Sequence, residues 1–474
     1  MGQDITGGRY QKQDFDAFRA RLTEETDLLH AFLREGRFGE GARTGGYEVE
    51  AWLVDDELRP APINEDFLEK LDDPMVVPEL SSFNVELNTE PRVLQGDALR
   101  RMHEDLDRVW SRCREAASQL GAELLTTGIL PTVQDDDLVL ENMSRRPRYR
   151  ALNEQILRLR KGEPIHLDIA GREVLDVSHH NVMLEAAATS FQIHLKVGPE
   201  EAARYFNASI VLSAPMVAAC ANSPFLFGRD LWDETRIPLF EQAVSVRSTR
   251  SRGADRVNFG TGYAQESLVE FFDENIARYD ILLPEPLEET VDRFPHARLH
   301  NGTIWRWNRP LIGLDDDGRP HFRIEHRVVP SGPSLVDMIA NAAFYFGLVH
   351  GLVEAREVPE NQLTFEQARA NFYNAARQGL NAHITWLDGE TVPVQALLME
   401  ELIPLAGDGL RVQGFDEADV DYYVGILRDR VSSWCNGTAW QRAWVESHGR
   451  DMTGLATAML RAQQGRAPVH EWEI

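Results

Sequence analysis

Four short segments alternate apolar residues with groups that could bind metal and phosphate. In Tyr47-Glu48-Val49-Glu50-Ala51-Trp52-Leu53, the two acids stand two residues apart. Side chains on a strand flip with period two, so Glu48 and Glu50 share one face, and Tyr47, Val49, Ala51 and Leu53 take the other. Phe83-Asn84-Val85-Glu86-Leu87-Asn88 puts Asn84, Glu86 and Asn88 on its polar face. The segment from Ser190 to Lys196 does the same with Gln192 and His194, and the segment from Phe322 to Val328 with Arg323, Glu325 and Arg327. An antiparallel sheet with one solvated face alternates in this way for no further purpose. The residue types point elsewhere. Solvated faces favour Thr, Lys and mixed polar groups, whereas here carboxylates recur without a Lys beside them. Like charges that close are unfavourable unless something cationic lies between them. A divalent metal is the usual remedy, and Mg²⁺ takes hard oxygen ligands in a shell that it shares with substrate phosphates. Glu79 lies seven residues before Glu86. That odd spacing puts the two on opposite faces of one straight strand, and a bend at Ser81-Ser82 would bring them to one site.

The elements that must carry these groups are legible from periodicity. A helix is expected over 14–36, followed by a Gly-rich turn and a strand at 46–54. Leu99, Met102, Leu106, Val109, Cys113 and Leu120 recur at helical spacing, which makes 97–120 an amphipathic helix with Trp110 at the edge of its packing stripe. Strands fit 123–130 and 187–197; helices fit 199–221, 266–277, 333–355, 365–381 and 416–434. Strands concentrate in 40–330 and helices in 331–474. This segregation argues for an α+β fold with antiparallel pairing, read as one catalytic unit over 1–474. No phosphate-binding loop follows a strand, and Gly260-Thr261-Gly262 reads as a turn.

Composition narrows the partners. The chain has 474 residues and a formal net charge of −27. A field of that sign disfavours nucleic acid and anionic membrane surfaces, although Mg²⁺ and Arg can invert it at one site. Cys113, Cys220 and Cys435 are far apart and odd in number, which fits free thiols in a reducing cytoplasm. The N-terminus shows no apolar secretory core; its Met-Gly-x-x-x-Thr pattern fits acylation only formally, since nothing basic follows. The most apolar stretch, Leu335 to Val353, contains Asp337, Asn341 and His350 and reads as a buried helix rather than a membrane span.

Three further groups of residues invite a functional reading. Arg247, Arg250 and Arg252 could grip phosphates, against the simpler reading of a solvated loop. Trp305, Arg306, Trp307 and Arg309 could stack on adenine or clamp a carboxylate, against a strand whose Trp residues pack in the core. His179 and His180 are adjacent and would point apart on a strand, so a polar pair is the better reading than shared metal ligation.

The series GYEVE, VPELSSFNVELN, TSFQIHL and FRIEHR, in this order from about Gly46 to Arg327, resembles the glutamate–cysteine ligase superfamily, and most closely its type 2 carboxylate–amine ligase branch. The segments LLTTGILPT, ANSPFLFG, HNGTIWRWNRP and NFYNAARQGL support the resemblance. It implies a glutamine-synthetase-like fold: a curved, mostly antiparallel sheet forms an active-site funnel flanked by helices. It also implies an ATP- and Mg²⁺-dependent ligase that phosphorylates a carboxylate and passes the acyl group to an amine. Glutamate and cysteine are the expected pair, which would open glutathione synthesis; another acceptor amine, or a non-catalytic nucleotide- or cation-binding relative, are the alternatives. Glu48, Glu50, Glu79, Glu86 and Glu325 are the implied ligands of two or three Mg²⁺ ions, with Mn²⁺ as a substitute. Arg327 would hold the γ-phosphate, with Glu48 and Glu86 beside it in catalysis; Arg306 and Arg309 would contact the nucleotide. Where many members have a His ligand this chain has Gln192, and His194 on the same face is the substitute. No nucleic-acid or membrane partner is expected, and a homo-oligomer stays open.

Overall fold

The computed structural model describes residues 10–474; the acylation-like pattern at the N-terminus lies outside them. Eight strands form the main sheet: β1 Thr44–Val54, β2 Val76–Pro78, β3 Asn84–Asn88, β4 Arg92–Val93, β5 Glu123–Leu125, β6 Phe191–Val197, β7 Asn308–Leu314 and β8 Pro320–His326. The order across it is β7-β8-β6-β1-β3-β2, all antiparallel, with β4 and β5 pairing separate ends of β1. The sheet curls into a half-barrel. Beyond residue 331 the chain is helical apart from the small hairpin His383–Thr385 and Thr391–Pro393.

The expected helices all form, with ends shifted by a few residues: Lys12–Arg34, Ala98–Ser118, Ala202–Cys220, Glu270–Arg278, Leu335–Val353, Phe365–Gln378 and Glu417–Ser432. Trp110 is buried in the stripe of its helix. The strand expected over 123–130 pairs only through Leu125, because Thr126 and Thr127 turn their hydroxyls to carbonyl groups of Pro333, Ile129 and Asn222. The segment expected to open as strand at 187 instead enters β6 from a 3₁₀ turn, Met183–Ala187.

One helix dictates how the sheet is backed. Leu335–Val353 is buried along almost its whole length, and it is the only helix among the described residues long and apolar enough to cross a membrane. Its polar residues have internal partners instead. Asp337 receives Arg430 at 2.7 Å, Asn341 receives Arg430 at 2.6 Å, and His350 pairs with the Tyr205 hydroxyl at 2.7 Å. The helix Ile403–Val412 presses against it so closely that a Cβ on Gly409 would lie 2.1 Å from the Gly347 carbonyl oxygen. On the other side, a Cβ on Gly45 of β1 would lie 2.6 Å from the Phe346 ring. Tyr47, Val49, Ala51, Val85, Leu87, Phe191, Ile193 and Ile324 form the dry side of the strands. The opposite side is left to the polar groups.

Candidate active site

Residues directly opposite in an antiparallel pair share a face, so the register determines which polar groups meet. Glu50 on β1 stands opposite Glu86 on β3. Glu48 stands opposite Gln192 on β6. Farther across, His194 on β6 stands opposite Glu325 on β8, and Glu325 opposite Arg309 on β7. Glu79 arrives by a different route from the bend expected within one strand. The chain reverses after Leu80, and β2 and β3 become antiparallel neighbours with Val77 opposite Glu86. Glu79, two residues past Val77, therefore shares the Glu86 face. Asn64 ties down the reversal by donating to the carbonyls of Ser81 and Asn84, and Ser82 donates to the Asn142 carbonyl.

Two groups of potential ligands result. Glu48, His194 and Glu325 bring one ligand atom each within 4.8 Å of one another, and so do Glu50, Glu79 and Glu86. His194 is 6 % exposed, and neither ring nitrogen has a hydrogen-bond partner. Its Nε2 lies 3.3 Å from Glu48 Oε1 and 3.8 Å from Glu325 Oε1. Burial lowers its pKa, against the pull of Glu48, so the ring is held toward the neutral form that ligates metal. A buried imidazole set between two carboxylates is an arrangement that could hold a divalent cation.

The electrostatics of the two groups differ. Burial opposes ionisation of Glu325, but the Arg309 and Arg327 guanidinium groups outweigh it and hold the carboxyl well below the ordinary range. Arg309 makes a bidentate clamp on Glu325 at 2.6 and 2.8 Å. In the second group, burial and the neighbouring acids act together. Glu50 is pushed up to about 7 despite Arg327, Glu79 is pushed up to about 7 with Glu50 and Glu185 contributing, and Glu86 is raised well above the ordinary range by burial, Glu48 and Glu79. Their protein donors are neutral: the Ser190 amide at 2.6 Å and the Gln192 amide at 2.9 Å for Glu50, Asn88 at 2.9 Å for Glu86 and the Leu80 amide at 3.2 Å for Glu79. Arg327 and Arg148 offset this crowding only in part for Glu50 and Glu79, and a bound cation would supply the rest.

Arg327 links the groups. It donates to Glu325 at 3.1 Å and to the Gln192 side-chain oxygen, whose amide nitrogen reaches Glu50. Arg236 fixes the Arg327 backbone through its carbonyl at 3.2 Å. Both ends of the Gln192 amide are therefore engaged by protein partners, whereas His194, on the same face, stands between Glu48 and Glu325. Arg306 departs from expectation. It is fully buried outside the cavity, pairs with Glu274 at 3.3 Å and lies over the rings of Phe271 and Tyr279, so it cannot reach a nucleotide. It follows Trp305, which lines the cavity, and alternation turns it the other way.

The acids open into a cavity of about 360 Å³, within the range of small-molecule sites. Arg146, Arg148, Arg298 and Arg323 line it with Arg309 and Arg327, and Glu185 faces it from the turn Met183–Ala187. Of these, Arg146, Arg148, Arg298 and Glu185 lie on helices or turns with no alternating pattern, and nothing in the sequence singled them out. The other candidates take structural places. Arg247 and Arg250 pair with Asp255 and Glu163 at 3.1 Å on the surface. His179 pairs with Asp135 at 2.7 Å, and Trp307 is buried with its indole nitrogen on Glu241. Gly260 sits in a turn with φ +109°. The cysteines are free, with Cys113 and Cys220 buried.

No curated protein matches the chain in sequence. Solved structures share its fold. A glutamate–cysteine ligase of Francisella tularensis, solved with AMP, aligns over 90 % of both chains with a TM-score of 0.54 at 13 % identity. A bifunctional glutathione synthetase of Pasteurella multocida aligns over 93 % of this chain with a TM-score of 0.50 at 10 % identity, and the match spans 54 % of that protein. The family model for glutamate–cysteine ligase family 2 matches residues 44–454, most of the chain, and the chain belongs to that family.

Proposed function

We propose that this ATP-dependent carboxylate–amine ligase joins the γ-carboxylate of glutamate to the amine of cysteine through an acyl phosphate. The observation that carries the reading is the pairing of two ligand groups, Glu48/His194/Glu325 and Glu50/Glu79/Glu86, with Arg327 bonded to Glu325 of the first and, through Gln192, joined to Glu50 of the second. A carboxylate does not react with an amine at neutral pH because its oxygen is a poor leaving group. Phosphorylation by ATP removes that obstacle, and such transfer asks a protein for positioning and charge neutralisation rather than a nucleophilic side chain. Divalent cations, Mg²⁺ in this proposal, would be held by these six residues and would supply the neutralising charge for phosphate and carboxylate oxygens.

The chain's own residues do the rest. Arg327 offers a forked donor to the transferred phosphoryl group. Arg309 fixes Glu325 by its clamp and so orients the ligand rather than touching nucleotide. Arg146, Arg148, Arg298 and Arg323 give the cavity wall a positive side suited to an acidic substrate and to nucleotide phosphates. Burial of the floor keeps water away from an acyl phosphate. The test is phosphate release with ATP, Mg²⁺, glutamate and a panel of amines that includes L-cysteine. Release that requires both glutamate and cysteine supports the assignment; release only with another amine moves the acceptor, and no release with any pair removes the reaction.

A further inference from the structure

The carboxylates facing the cavity differ in one respect. Glu50, Glu79, Glu86 and Glu325 each accept a hydrogen bond from a nitrogen donor of the protein, and Glu48 lies 3.3 Å from His194 Nε2. Glu185 meets none among the described residues: the influences on it are burial, Glu50 and Arg327, with no hydrogen bond. Its turn does not need it. Met183, Leu184, Ala186 and Ala187 are buried and pack the turn Met183–Ala187, while Glu185 stands half-buried toward the cavity. It also belongs to neither ligand group. A carboxylate turned into a cavity without a donor is unfavourable in isolation, so it calls for a cationic partner from outside the chain.

We infer that Glu185 receives the amine of the acceptor substrate, holding its ammonium group beside Arg327. This rests on the ligase reading above. Its neighbours indicate which amine it holds. Glu185 acts on Glu50, Glu79 and Arg327, the residues at the phosphoryl end of the site, rather than on Arg309 or Arg323 farther along β7 and β8. The donor's own α-ammonium would lie several bonds from the activated carbonyl, whereas the acceptor nitrogen must touch it. In the ligation step the C–N bond forms as the C–O bond to phosphate breaks. The ammonium nitrogen gives up two protons: one leaves with the phosphate as HPO₄²⁻, and the other passes through the Glu185 carboxylate to water.

Hydroxylamine separates this role from all others, because it is neutral near pH 7 and needs no ammonium site. The assay compares Glu185→Gln and Glu185→Asp with wild type, using ATP, Mg²⁺ and glutamate with either L-cysteine, or the amine the panel identifies, or hydroxylamine. Glu185→Gln is expected to lower kcat/KM for the amine about a hundredfold. Hydroxamate formation and the KM for glutamate are expected to stay within about threefold, and Glu185→Asp to recover most of the loss. Equal losses with both nucleophiles, a raised glutamate KM in both assays, or no loss with the amine would each overturn the inference. Failure of wild type to form either product would instead reject the ligase reading itself.

Discussion

The two halves of the acidic floor solve the same problem in different ways. Around Glu48, His194 and Glu325 the protein supplies its own compensation: Arg309 and Arg327 keep Glu325 ionised, and the neutral His194 adds a ligand without adding charge. Around Glu50, Glu79 and Glu86 the hydrogen-bond donors among the described residues are neutral, Arg327 and Arg148 act without a bond to these acids, and burial pushes the acids toward protonation. The first half is prepared for a cation at any pH near neutrality. Under the proposed reading the second half would exchange protons for a cation, so its readiness would depend on pH.

The largest effect is expected from breaking the link between the halves. Arg327→Ala should lower kcat at least about a hundredfold, measured as phosphate release at saturating substrates. Glu48→Gln should do the same, because it removes a ligand of the first half. Wild-type rates in both would break the comparison at its base. Next comes pH. Glu50 and Glu79 titrate near about 7 in the folded chain, so the Mg²⁺ concentration giving half-maximal activity should rise steeply as pH falls below that point: about tenfold per unit for each proton displaced, hence about a hundredfold per unit when both acids must lose one. In Glu79→Gln that slope should diminish.

The sign for stability runs the other way. A carboxyl group whose folded pKa is raised binds more protons in the folded than in the unfolded chain between about 4.3 and about 7. The metal-free protein should therefore lose stability as pH rises through that window, and added Mg²⁺ should raise Tm more at pH 8 than at pH 6. Glu79→Gln should raise the Tm of the metal-free protein at pH 8 by relieving repulsion, while weakening the gain from Mg²⁺. Glu325 has the opposite sign. Its folded pKa is depressed, so its contribution is present at neutral pH and is lost only as pH falls below the ordinary carboxylate range. The smallest expected effect is that of Gln192→Ala. It cuts the relay from Arg327 to Glu50 without removing a ligand, and should lower kcat about tenfold with Tm nearly unchanged.

What was legible in the sequence follows from which distances are local. Period-two alternation places Glu48 with Glu50 on β1, and Glu325 with Arg327 just past the end of β8, with no knowledge of the fold, because each pair is two residues apart in sequence. The order of the motifs, compared with a known family, supplied the curled sheet. Relations across strands were harder. The Glu79–Glu86 spacing implied a bend in one strand, yet the chain makes a full reversal, because only the pairing of Val77 with Glu86 reveals that β2 and β3 are neighbours. Gln192 and His194 are equivalent by alternation, and only the proximity of Arg327 decides that Gln192 serves as a hydrogen-bond relay. Arg306 and Arg309 sit in one aromatic–basic segment but differ in the face each takes. Glu185 and Arg298 left no pattern at all, since they lie on a 3₁₀ turn and a short helix that the long-range fold carries to the cavity.

The most direct measurement is a count of bound Mn²⁺ per chain, by electron paramagnetic resonance titration of wild type, Glu325→Gln and Glu86→Gln at pH 8. At least two ions are expected in wild type, with one lost or greatly weakened in each variant. An absence of bound Mn²⁺ in wild type, or a stoichiometry that neither substitution alters, would contradict the assignment of the two acidic groups as cation sites.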